Sequence, residues 1–286
     1  MMQPLLSLNQ HIATLEFGHI KIIANSQHGA RITSFSYDDQ ELLTQSHDHP
    51  ENFGSTLWDA PQSRWHWPPP CTLDSEPYTI HLDALRLTLI SNVDKASGLQ
   101  FTKQISPLLG QAGVIIEYSI KNTSNQAITT AAWEITRAPG GITFVPAAQL
   151  TPTANSDLPD LKIIGDFAWY TIDPAPLSIG KKAFLDVYAG WLAHVTPNRL
   201  LFVKSFTPLT SDRYSSGHAA VEVYAHIDGA YVELENHGPR TLLEPGDSLS
   251  YAVRWFLQPI PDHIAVVSGN QELVHFAQEI LNDEKS

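Results

Sequence analysis

Ala219–Asn236 reads AAVEVYAHIDGAYVELEN, and its reading decides the fold. Asp228-Gly229 is a two-residue hairpin signal between two alternating runs. In that register Ile227 faces Ala230, Tyr224 faces Glu233 and Glu222 faces Glu235. One face is then Val221, Val223, Ala225, Ile227, Ala230, Val232 and Leu234, all apolar. The other carries Glu222, Tyr224, His226, Tyr231, Glu233 and Glu235. A side-chain period of two sends the apolar set to an inter-sheet core. Like charges directly across a strand pair repel. Glu222 and Glu235 therefore require a cation, a neighbouring Arg or Lys, or a shared proton. A carboxyl with such a neighbour tends toward a raised pKa, which suits general acid/base work. The plain alternative is a solvated outer face.

Similar runs recur along the chain, at Ile20–Ala24, Arg31–Tyr37, Leu85–Ile90, Val114–Lys121, Ile128–Thr136, Leu200–Phe206 and Leu249–Leu257. Gly, Pro, Asn and Asp bound them at hairpin distances. Only the C-terminus reads as a helix, with Leu273, Val274, Phe276, Ala277, Ile280 and Leu281 on one stripe at helical spacing. It is expected to pack on the outside of the sheets. No repeat or long linker divides residues 1–286, so one all-β domain of two packed antiparallel sheets is expected. The stretch 146–159, rich in Pro, Thr, Ala and Asp, reads as a long loop within it.

Asn52–Cys71, NFGSTLWDAPQSRWHWPPPC, is the second outlier. Trp58, Trp65 and Trp67 are interleaved with Asp59, Gln62, Arg64 and His66, and three prolines stiffen the exit. Flat amphipathic rings beside hydrogen-bonding side chains suit a sugar, whose C–H faces stack while its hydroxyls are addressed by polar groups. The competing reading is a satellite core plugging one end of the sandwich.

The 286 residues carry 30 acids against 17 bases, a formal net charge of −13. That balance disfavours nucleic acid and anionic membranes. With 43% hydrophobic and 16% charged residues, disorder is not expected. The single cysteine, Cys71, excludes a disulfide framework and a cysteine zinc site. No leader pattern and no membrane-length apolar run is present, so a soluble, cytoplasmic monomer or homodimer is expected. His47-Asp48-His49 reads as solvated, and neither metal nor cofactor is expected. P-loop, GxGxxG, HExxH and GxSxG motifs are absent.

His28–Leu43, HGARITSFSYDDQELL, resembles the opening of galactose-mutarotase-like (aldose 1-epimerase-like) domains, where a G-x-R-I-x-S-F strand leads through a turn to a short second strand. Asn52–Pro70 looks like the Gly-, Trp- and Pro-rich segment that follows it. Tyr231–Leu257 resembles the late strand carrying a glutamate, the L-x-P-G-[DE] turn and the final strand. The resemblance implies a β-supersandwich that binds a small carbohydrate on a sheet face. It implies isomerase chemistry in which a late-strand glutamate takes the anomeric hydroxyl proton and a histidine protonates the ring oxygen. The glutamate carries over to Glu235 or Glu233, both facing the same way. The mid-chain stretch AAWEITRAPGGITFVP offers Glu134 and Arg137 in place of the family's histidine, and an arginine stays protonated near neutral pH. The acid is then sought at His66, His218 or His237. Arg31, Arg64, Arg137, Lys204, Glu134, Glu222 and Tyr224 become candidate substrate or carboxylate ligands, with Trp58 or Trp65 as the stacking platform. A non-catalytic sugar-binding or sensing module is the alternative.

Overall fold

A computed structural model describes residues 4–147, 157–172 and 179–282. Among these, the strands form two antiparallel sheets. The first runs in spatial order Leu5–Asn9, Ile12–Phe17, Ile20–Asn25, Arg31–Tyr37, Ser55–Ala60, Ile128–Ala138, Val232–His237, Val221–Ala225 and Lys181–Leu185. The second is centred on Leu200–Phe206, Ser248–Pro259, Gly113–Asn122 and Leu99–Pro107. This is the expected all-β supersandwich, and every strand read from the sequence is present with ends shifted by two residues or fewer. The stretch 146–159 lies largely outside the described residues.

The core between the sheets takes one residue in two from each strand. Val221, Val223, Ala225, Val232 and Leu234 enter it from the hairpin and meet Tyr118, Phe202, Val253, Trp255 and Leu257 among others. The hairpin register is the one that alternation implies: Glu222 pairs with Glu235 and Tyr224 with Glu233. The turn itself differs. His226 N–H donates to Tyr231 O and Gly229 N–H to His226 O, so residues 227–230 form the loop. Within it only Gly229 adopts the left-handed region, at φ +72°. Asp228, which would need a positive φ in a two-residue type I′ turn, instead caps the loop by accepting from Ala230 N–H. Lengthening the loop symmetrically preserves the register but lifts Ile227 off the apolar face, where it is 42% exposed.

Glu134 and Lys204 do not lie on the polar face. Both are wholly buried in the inter-sheet core, with Lys204 Nζ 2.6 Å from Glu134 Oε2. Tyr118 OH and Trp255 Nε1 donate to Glu134 Oε1, and Lys204 also donates to Leu234 O. The reason is parity: Glu134 is one residue out of step with Trp133, Ile135 and Arg137, which point to the opposite face.

Helix Gln271–Asn282 buries Leu273, Val274, Ala277 and Ile280 against Phe144, Trp169, Trp191, Val203 and Phe256. It therefore covers the outer face of the second sheet, and among the described residues no long helix covers the outer face of the first. No helix among the described residues is long and apolar enough to cross a membrane.

Candidate functional site

The outer face of the first sheet gathers side chains from four adjacent strands and the tryptophan loop. Lys182, from edge strand Lys181–Leu185, resolves the repulsion between the facing glutamates. Its Nζ lies 2.8 Å from Glu222 Oε2 and 2.8 Å from both oxygens of Glu235. Burial lowers its pKa, but Glu222, Glu235 and Glu233 more than offset that and hold it above the ordinary lysine value. Of the two carboxyls it bridges, Glu222 is the ionised partner. Burial pushes Glu222 up, yet Lys182 and then His237 and His218 outweigh it and hold it well below the usual range. Glu235 goes the other way. Burial, opposed by Lys182 but reinforced by the Glu222 and Glu233 charges, pushes it well above. Trp133 Nε1 donates to Glu235 Oε2 at 2.7 Å and closes it off from solvent.

Glu233 is placed differently. It is the one of the three hairpin glutamates that keeps surface, 8% exposed against 0% for Glu222 and Glu235. Arg137 Nε donates to its Oε1 at 2.8 Å. Arg137 Nη1 is buried with no acceptor among the described residues, a costly arrangement for a charged donor. The guanidinium lies 5.5 Å from the Trp58 ring centroid and 6.0 Å from that of Tyr231. Tyr224, opposite Glu233, is half-buried at the rim.

Trp58 forms the floor of an edge-to-face cluster with Trp65, Trp67 and Trp133. Trp58 and Trp133 are buried, as a satellite core requires, whereas Trp67 is 57% exposed. Trp58 Nε1 donates to Asp74 Oδ1 at 2.7 Å, and Thr56 donates to the same oxygen. Asp74 ends the short helix Cys71–Asp74, which follows the prolines.

Arg31 holds Asp74 from the far side at 3.4 Å and donates to Glu51 O at 2.8 Å. It is a buried clamp on the loop entering Ser55–Ala60, and burial lowers its pKa to about 10. Gly54 ends that loop, with φ +62° and a position where a Cβ would stand 2.3 Å from Ile32 O. Arg64 is likewise engaged, donating to Thr129 O at 2.6 Å and lying 3.7 Å from Asp59. His66 is exposed on the loop between Trp65 and Trp67.

The sequence reading missed three residues here: Lys182, Asp74 and His49. His49 departs from its solvated neighbour His47 and packs 4.8 Å from His226 and 5.3 Å from Tyr231, ring to ring. His226 stacks on Tyr231 at 4.6 Å. Asn52 N–H donates to His49 Nδ1 at 3.0 Å, which leaves the proton of the neutral ring on Nε2. Burial, then the neighbouring His226, lowers its pKa.

The acid candidates separate by access. His237 is wholly buried, and burial lowers its pKa to about 4. His218 Nδ1 is bound to Glu222 at 2.8 Å. Arg137, Glu233, Trp58 and Tyr224 thus share one face with His49, while Glu134, Lys204, Arg31 and Arg64 serve elsewhere.

No protein-family model matches the chain, and no curated protein matches its sequence. Solved structures do match in three dimensions. A galactose mutarotase related enzyme from Lactobacillus acidophilus superposes with a TM-score of 0.63 at 12% identity, covering 88% of this chain and 98% of its own. A galactose mutarotase-like protein from Lactobacillus casei gives 0.60 at 12%, covering 86% and 100%. The Slr1438 protein of Synechocystis gives 0.59 at 16%, covering 91% and 99%. At such identities the likeness is one of architecture, and by that architecture the chain has the galactose-mutarotase-like fold.

Proposed function

We propose that the chain binds a small carbohydrate over the face formed by Trp58, Arg137, Glu233 and Tyr224, and interconverts its anomers. The observation that carries this reading is the pairing of a surface-reaching carboxylate, Glu233, with a buried guanidinium that has a donor to spare. Sugar hydroxyls are acceptors for such a donor, and the Trp58 ring lies 5.5 Å from the guanidinium.

In the proposed reaction Glu233 takes the proton of the anomeric hydroxyl while an acid delivers one to the ring oxygen. The C1–O5 bond breaks, the aldehyde rotates about C1–C2, and reclosure on the other face returns both protons. His49 is the best-placed acid: its Nε2 carries a proton in the neutral ring and it packs on Tyr231, two residues from Glu233 on the same face. Glu235 acts only through position, holding Lys182 and Trp133.

A second reading is a binding module without turnover. It is favoured by the engagement of Glu233 with Arg137 and by a mid-chain segment that offers Arg137 where catalytic mutarotases carry histidine. Polarimetry and NMR over a panel of aldoses separate the two. Acceleration of anomer exchange over buffer supports the enzyme, saturable binding without acceleration supports the module, and neither for any sugar overturns both.

A further inference from the structure

The proposed reaction leaves His218, Glu222 and His237 without a chemical task, although they converge on one point. His218 Nδ1 lies 2.8 Å and His237 Nε2 3.0 Å from the same oxygen, Glu222 Oε1. The three ligand atoms all fall within 4.8 Å of one another. His237 is 0% exposed, and neither of its ring nitrogens makes a well-directed hydrogen bond among the described residues. A buried imidazole left in that state is expensive. An ion at Nε2 would relieve it.

Both histidine–carboxylate spacings, 2.8 and 3.0 Å, suit neighbouring ligands of one ion. Two ligand atoms each about 2.1 Å from an ion and at right angles to one another stand roughly 3.0 Å apart. The scaffold is also stiff. Glu222 and His237 lie on neighbouring antiparallel strands, and His218 precedes Glu222 by four residues. Trp133 fixes the rings, lying 5.3 Å from His237 with a 23° interplanar angle and 4.9 Å from His218. Lys182 holds the other Glu222 oxygen at 2.8 Å and so orients the carboxylate. Its positive charge counts against a dication, and the Glu222 carboxylate that lies between the two counts for one. His218, whose side chain is 9% exposed, is the open side through which an ion enters.

We infer that His218, Glu222 and His237 form a two-histidine, one-carboxylate site for a divalent transition ion. Two imidazole nitrogens with a single carboxylate select Zn²⁺, Fe²⁺ or Mn²⁺ over Ca²⁺ and Mg²⁺, which require more oxygen ligands. The remaining positions of the ion face the His218 rim. The inference goes beyond the sugar reading and departs from the expectation, drawn from His47-Asp48-His49, that the chain holds no metal.

The test is calorimetric titration of chelator-treated protein with Zn²⁺ and, in parallel, visible absorption on adding Co²⁺, both without sugar. One equivalent is expected, with ligand-field bands for Co²⁺ and a higher Tm in Zn²⁺. His218→Ala and His237→Gln should each weaken binding at least tenfold. Circular dichroism monitors folding, and His218→Ala, at the rim, keeps the test valid if the buried substitution unfolds the chain. The inference is overturned if no equivalent binds at micromolar Zn²⁺, or if Zn²⁺ binds with the same affinity to folded His218→Ala. Because no sugar is present, either result leaves the carbohydrate reading to its own experiment.

Discussion

Glu222 and Glu235 stand opposite one another across the hairpin, both wholly buried, and Lys182 Nζ lies 2.8 Å from each. Three ionisable groups in one dry patch are stable only as a set. Removing the cation alone, in Lys182→Met, should cost about 3–5 kcal/mol in urea unfolding, the usual price of a broken buried pair. Adding Glu222→Gln and Glu235→Gln to Lys182→Met should recover most of that loss. A single variant within 1 kcal/mol of wild type, on the order of a surface pair, would contradict the arrangement.

Asp59 gives a pH signature. Burial, only partly opposed by Arg64, raises its pKa to about 6 from 3.8. The folded state then holds its proton more tightly than the unfolded chain, so this group's contribution to stability is fully present below pH ~4 and lost as pH rises through ~6. Asp59→Asn should therefore gain up to about 3 kcal/mol relative to wild type between pH 4 and pH 8. A pH-independent difference between the two proteins in thermal melts would show that Asp59 does not titrate in this range.

The hairpin was legible because its residues alternate strictly between apolar and polar, so alternation fixes register and orientation even though both faces are almost wholly buried. Strand Ile128–Ala138 offers no such cue. From Thr130 onward every residue is buried. Glu134 and Arg137, three residues apart, must point to opposite sides of the sheet, but with both faces buried the sequence does not say which side is the inter-sheet core. Lys182 was illegible for another reason: it reaches Glu222 from 40 residues away by edge pairing, which no local pattern encodes. His49 meets His226 from much farther along the chain, and its local neighbours suggest only solvent.

The placement of Glu134 and Lys204 has its own consequence. Lys204→Met should destabilise the fold by about 3–5 kcal/mol by leaving a carboxylate unpaired in the core, and Lys204→Met/Glu134→Gln should restore much of it. Neither residue touches the proposed sugar face. Sugar affinity of the folded double variant should stay within about threefold of wild type, a difference of under 1 kcal/mol. A selective loss of binding without loss of stability would place Lys204 back in the site.

Trp58 separates stacking from scaffolding. Trp58→Phe keeps a ring beside Arg137 but loses the 2.7 Å bond from Nε1 to Asp74. It should cost about 1–2 kcal/mol of stability with sugar affinity mostly retained. Trp58→Ala should abolish saturable binding in a fluorescence titration that reports on the remaining tryptophans. Equal affinities in Trp58→Ala and wild type would remove the aromatic floor from the account.

The central claim is that Glu233, the hairpin glutamate with access to solvent, carries the chemistry, and that Glu235 does not. NMR exchange spectroscopy of aldose anomers tests it directly with Glu233→Gln and Glu235→Gln side by side. Glu233→Gln should lose about 100-fold or more of the catalysed rate, the usual contribution of a positioned base, and Glu235→Gln should stay within about tenfold of wild type. A Glu233→Gln protein that exchanges anomers as fast as wild type, or a Glu235→Gln protein that is folded but inert, would contradict it.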